Sequence, residues 1–129
     1  MIGNYSGLNR SAAYSAVAGT GADPQDLMKI GLDRARAFLL EAEEAIETGD
    51  RLAKAKALGS ASSIVEFLLG VSGSEPGPLS GSLAKVYHYA MLAILKGNAG
   101  DDATAVAAAR SSIEDLAATW RRIFPDAIA

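Results

Sequence analysis

The sequence predicts an all-α fold, an antiparallel up-down-up-down four-helix bundle with a mobile N-terminal arm, and three observations point to it. Apolar residues recur at intervals of three and four along four long segments. Short breakers rich in Gly, Asp, Ser and Pro separate those segments. No alternating, strand-like pattern competes with the helical one. The arm is expected over residues 1–22 and the bundle over 23–129, with helices near 24–48, 50–70, 81–97 and 101–124.

The first helix can be read at both ends. Asp23 can cap its N-terminus, because its carboxylate can accept the unpaired amides of the first turn, and Pro24 follows where a missing N–H costs nothing. Gly49 is the residue type that usually follows a last turn. Between these signals Leu27, Ile30, Gly31, Ala35, Phe38, Ala42 and Ala45 form one row, and Met28, Leu32, Leu39 and Ile46 a second beside it. The two rows make an apolar face wider than a coiled-coil seam, on a rod roughly 37 Å long. A rod of that length needs partners of similar length. The preceding segment is rich in Gly, Ser, Ala and Asn and is a poor candidate for folding alone. Its Tyr5, Leu8, Tyr14 and Val17 are spaced so that a short helix or extended arm can dock on an apolar surface; the alternative is a frayed tail.

Asp50 can cap the second helix, whose expected inward row is Leu52, Ala55, Leu58, Ala61 or Ser62, Val65 and Leu68 or Leu69. A turn this short makes the first two helices antiparallel neighbours. Gly59, Ser60, Ser62 and Ser63 weaken the middle of that helix and permit close backbone approach. The breaker from Ser72 to Ser80 predicts a loop. In the third helix Leu83, Val86, Tyr87, Ala90, Met91 and Ile94 share one face, and Tyr89, Leu92, Ala93 and Leu95 make its flank apolar; Gly97, Asn98 and Gly100 are expected to end it. Asp101 or Asp102 caps the fourth, in which Val106, Ala109, Ile113, Leu116, Trp120 and Ile123 alternate by threes and fours until Pro125. The predicted core includes Phe38, Val65, Met91, Ile113, Leu116 and Trp120, with about 3–5 kcal/mol expected for Trp120→Ala.

The net charge of −3 argues against nucleic acid as a partner, which needs a basic face. With no cysteine, disulfides and thiolate metal sites are excluded, and no apolar run is long enough for stable membrane insertion. The N-terminus lacks the pattern of a signal peptide, so the expected location is cytoplasmic. Catalytic constellations are hard to find. His88 is the sole histidine, and Lys85 stands where a carboxylate-bridged metal bundle needs Glu. A histidine phosphotransfer bundle carries a basic residue and a glycine just after its histidine, whereas here the run is His88-Tyr89-Ala90-Met91. No enzyme, cofactor or metal is implied. The distinctive feature is surplus apolar surface, which marks a partner site unless the four-helix core absorbs it or a weak homodimer covers it.

Over nearly the whole chain the sequence resembles the FliS family, flagellar export chaperones for flagellin. The resemblance rests on Tyr14 in the arm, with nine residues between it and Pro24, then Leu27, Asp33, Ala35, Phe38, Leu39 and the run Glu44-Ala45-Ile46. Val86-Tyr87-His88-Tyr89-Ala90 is similar to the family's Leu-Tyr-Asp-Tyr-Met, and Thr119-Trp120 to its Ala-Trp. The chain departs from the family's Leu-Tyr-Asp-Gly with Gly31-Leu32-Asp33-Arg34, and has His88 where the family has aspartate. The resemblance implies a non-enzymatic chaperone that holds the disordered C-terminal segment of flagellin along the outside of its helices and presents it to the export gate. Partner contacts are then expected at Tyr14, Leu27, Leu32, Tyr87 and Tyr89. A bundle-shaped adaptor or regulator of some other protein is the second reading.

Overall fold

The structure is a computed structural model that describes residues 24–73 and 80–125. The expected arm, its Tyr14 and the Asp23 cap lie outside the described residues. Four helices account for nearly everything described: α1 (Pro24–Thr48), α2 (Arg51–Gly73), α3 (Ser80–Gly100) and α4 (Ala103–Ile123). Each packs on its neighbours in the chain, and α4 closes the ring against α1. The pairing runs antiparallel on every side. Gly31 of α1 faces Leu68 of α2, the Ser62 hydroxyl donates to the Met91 sulfur at 3.8 Å between α2 and α3, and Gly97 of α3 abuts Val106 of α4. Across the closing seam, Glu43 meets Arg110 while Arg36 meets Glu114. The predicted up-down-up-down bundle is what the chain adopts.

The turn chemistry follows the sequence closely. Gly49 takes φ +72°, its N–H donates to Ile46 O at 3.2 Å and that of Asp50 to Ala45 O at 2.9 Å. This paired pattern satisfies the last carbonyls of α1 and needs a left-handed residue where the glycine stands. Asp50 then accepts from the Ala53 N–H at 3.0 Å, so one two-residue turn ends one helix and caps the next. At the far turn the duties are divided. Asp102 caps α4 through the Ala105 N–H at 2.9 Å, while Asp101, at φ +49°, turns its carboxylate back to Lys54. The Ser72–Ser80 breaker is shorter than expected, since α2 continues through Gly73 and α3 starts at Ser80.

Of the predicted core, Val65 and Ile113 are fully buried, whereas Phe38, Met91, Leu116 and Trp120 are partly buried and pack against the core from its edges. Three local expectations need correction. Leu52 does not face inward: it is 67% exposed, and Ala55 is exposed too. Two successive steps of three residues turn a helix by about 600°, which leaves Leu52 about 120° away from Leu58. Lys54 takes the inward position instead, its stem buried and its ammonium on Asn98 O at 3.1 Å and Asp101 at 2.5 Å. Gly97 does not end α3, which continues to Gly100. It is buried where α2, α3 and α4 converge, and a Cβ there meets Val106 Cγ2 at 2.7 Å and Leu58 Cδ1 at 3.3 Å. Gly59, in turn, permits no close approach between helices, because a Cβ there meets nothing within 4 Å.

Candidate functional site

The two long sides of the bundle differ. Where α1 meets α4, charges bridge the seam. Arg110 forms a two-point pair with Glu43 (Nε–Oε2 2.5 Å, Nη2–Oε1 3.2 Å) and reaches Glu114 at 3.0 Å, and Arg36 holds Glu114 at 2.7 Å. The hydrogen bond that Arg110 donates to Glu43, together with the carboxylate's charge, raises the Arg110 pKa above its ordinary value, so the cation is fixed. Arg121 pairs with Asp33 through two contacts of 3.2 and 2.6 Å, and the Trp120 indole N–H donates to Gln25 O at 3.1 Å. Trp120 also packs on Phe124, with ring centroids 4.8 Å apart. On the row of α1 that faces α2, two turns beyond Gly31, the Arg34 guanidinium lies 5.7 Å from the centre of the Phe38 ring.

The α2–α3 side is bare by comparison. On α3, Leu92 and Leu95 are 50% and 64% exposed, while Tyr89, 46% exposed, lies on the edge of the helix away from α2. Leu95 stands one turn beyond Met91, which faces α2 through Ser62, so it borders the α2–α3 seam; Leu92 lies beside it on the outer face. On α2, Leu52, Ala55, Gly59 and Ser62 follow at helical intervals and run up to the same seam. The result is an apolar flank with a shallow floor of small side chains. The sequence pattern shows the apolar α3 flank without singling out Leu52, Leu92 or Leu95 as contacts. Their signal is spacing, which acquires meaning only once α2 is known to lie beside α3.

The contact residues expected from the resemblance divide between surface and core. Tyr89 is exposed on the outer face of α3, and Leu27 is partly buried near the start of α1. Leu32 and Tyr87 are fully buried in the core. Each points into the bundle, and neither offers side-chain area to a segment lying on its exterior. Tyr14 lies outside the described residues. His88 is exposed on α3, and among the described residues no three potential metal-ligating side chains cluster. Among them, too, no helix is long and apolar enough to cross a membrane.

Fold and flank together define a helical bundle with one side locked by polar bridges and one side left apolar. The family model described as "Flagellar protein FliS" matches residues 7–127. The "Flagellar secretion chaperone FliS" of Salmonella typhimurium (strain LT2) is 30% identical over 108 residues, covering 82% of this chain and 80% of that protein. The chain belongs to the FliS family of flagellar secretion chaperones.

Proposed function

We propose that this chain binds the C-terminal segment of flagellin along the outside of its bundle, keeps it from polymerising before export and delivers it to the flagellar export gate. The observation that carries the reading is the exposed apolar α2–α3 flank in a member of this family. A disordered amphipathic segment gains its helix and its apolar burial together on such a surface. The ordering cost, about 2–5 kcal/mol or more, keeps the complex releasable. Residues 1–22, with their spaced Tyr5, Leu8, Tyr14 and Val17, serve in this reading as a removable cover that competes with the client.

Co-purification tests the reading. The full chain is expected to retain intact flagellin and to lose it when the flagellin C-terminal segment is deleted. A chain starting at Asp23 is expected to bind with altered affinity. Equal retention of intact and truncated flagellin, or retention of neither, would sink the proposal and favour an adaptor for another protein.

A further inference from the structure

The open flank carries a charge opposite to that of the chain. α2 and α3 together hold five lysines and arginines against one carboxylate, the half-buried Glu66, although the whole chain stands at −3. The other two helices hold eight carboxylates against six cations. On α2, Lys54 is buried and paired with Asp101, and Arg51 lies in the field of that same carboxylate. Lys56, Lys85 and Lys96 are exposed and form no ion pair among the described residues.

Their placement is regular. Lys85, Leu92 and Lys96 follow at steps of seven and four, one row along α3 whose lysines lie roughly 16 Å apart. Leu52, Lys56 and Gly59 follow at steps of four and three along α2. The apolar flank is therefore edged by Lys56 on α2 and by Lys85 and Lys96 on α3, with its small-residue floor between them and the half-buried Glu66, one turn beyond Ser62, as the carboxylate at its far end.

We infer that this flank selects one kind of partner segment, an amphipathic helix whose apolar stripe is bordered by aspartate or glutamate. The inference rests on the docking reading above and adds the sign of the partner's charge. Apolar side chains of such a helix bury against Leu52, Leu92 and Leu95, and Ala55, Gly59 and Ser62 let its backbone come close. Its carboxylates then meet lysine ammonium groups on flexible stems, while a lysine-bordered helix meets like charge. The acidic α1–α4 side repels the same segment and directs it to the correct face. Two copies of the chain joined symmetrically through this flank set lysine row against lysine row, so the flank opposes self-pairing.

The test is calorimetry on the full chain with three probes: a leucine-striped helical peptide bordered by glutamate, the same peptide bordered by lysine, and the flagellin C-terminal segment. Circular dichroism checks that each variant keeps its helices. The wild-type chain is expected to bind the glutamate peptide about tenfold tighter than the lysine peptide, a gap that narrows as salt is raised. The triple variant Lys56→Glu, Lys85→Glu, Lys96→Glu is expected to reverse that order. Equal affinity for the two peptides, no binding of either, or an order the triple variant leaves unchanged overturns the charge inference. The docking reading is judged separately by Leu92→Ser with Leu95→Ser: loss of the flagellin segment in that variant leaves it standing whatever the peptides do. If that variant binds every probe as the wild type does, both readings of the flank fall.

Discussion

The α1–α4 and α2–α3 seams join helices of similar length in the same antiparallel sense, yet they are finished in opposite ways. The first is closed by arginine–carboxylate pairs and by an indole bonded to the opposing backbone. The second has a lysine–carbonyl bond from Lys54 to Asn98 at one end, one weak hydroxyl–sulfur contact, bare leucines and exposed lysines on its outer edge. Under the proposed function, the difference teaches that stability and binding occupy separate sides of one small bundle. Groups that face each other across the locked side are already satisfied, and the open side keeps its apolar area for whatever docks there. Substitutions on the locked side should therefore lower stability and leave client affinity alone, with the reverse on the open side.

Trp120→Ala is expected to have the largest effect, about 2–3 kcal/mol in urea unfolding, through lost packing on Phe124 and the lost hydrogen bond to Gln25. This is below the 3–5 kcal/mol expected for full burial, because the ring sits at the edge of the core. A loss below about 1 kcal/mol would show that the locked end of the bundle contributes little. Arg110→Met comes next. It strands Glu43, whose side chain is only 13% exposed, beside Glu114, and about 1–2 kcal/mol is expected with flagellin affinity unchanged. A variant that unfolds normally but binds flagellin several-fold more weakly would break the division between the two sides. Gly59→Ala on the open side is the smallest and has the opposite sign. A Cβ there meets nothing, so thermal unfolding should show a gain of roughly 0.5–1 kcal/mol from helix propensity. Weaker flagellin binding in this more stable variant would show that the client's backbone approaches at that residue.

What the sequence reveals and what it hides follow from how local each cause is. Gly49, Asp50 and Asp102 are legible because a cap acts within four residues of itself, and the alternation in α4 marks Val106, Ala109 and Ile113 as core directly. Leu52 misleads because helical phase drifts over two turns, and nothing local shows that the stem of Lys54 fills the inward position. Gly97 looks like a terminator because its reason for being glycine, the side chains of Leu58 and Val106, comes from two other helices. At the site, Tyr89 is legible as exposed, but Leu32 and Tyr87, expected from the resemblance to be contacts, serve the core. Family-like residues mark a shared fold as readily as a shared surface. The absence of acids from α3 is plain in its sequence, yet it becomes a rim only when topology places α3 beside α2.

The bond from the Trp120 indole to the Gln25 carbonyl joins residues 95 positions apart, close to the greatest separation the bundle allows. On a chain emerging from the ribosome, α1 and α2 can pair as soon as both are made, but the other edge of α1 has no cover until the last helix arrives. The locked seam is thus the one with the highest contact order, and the loop-closure entropy is largest there. The arginine pairs and the indole bond reward that final step where its entropic cost is greatest. Until α4 is made, the side that it seals is itself an open apolar edge.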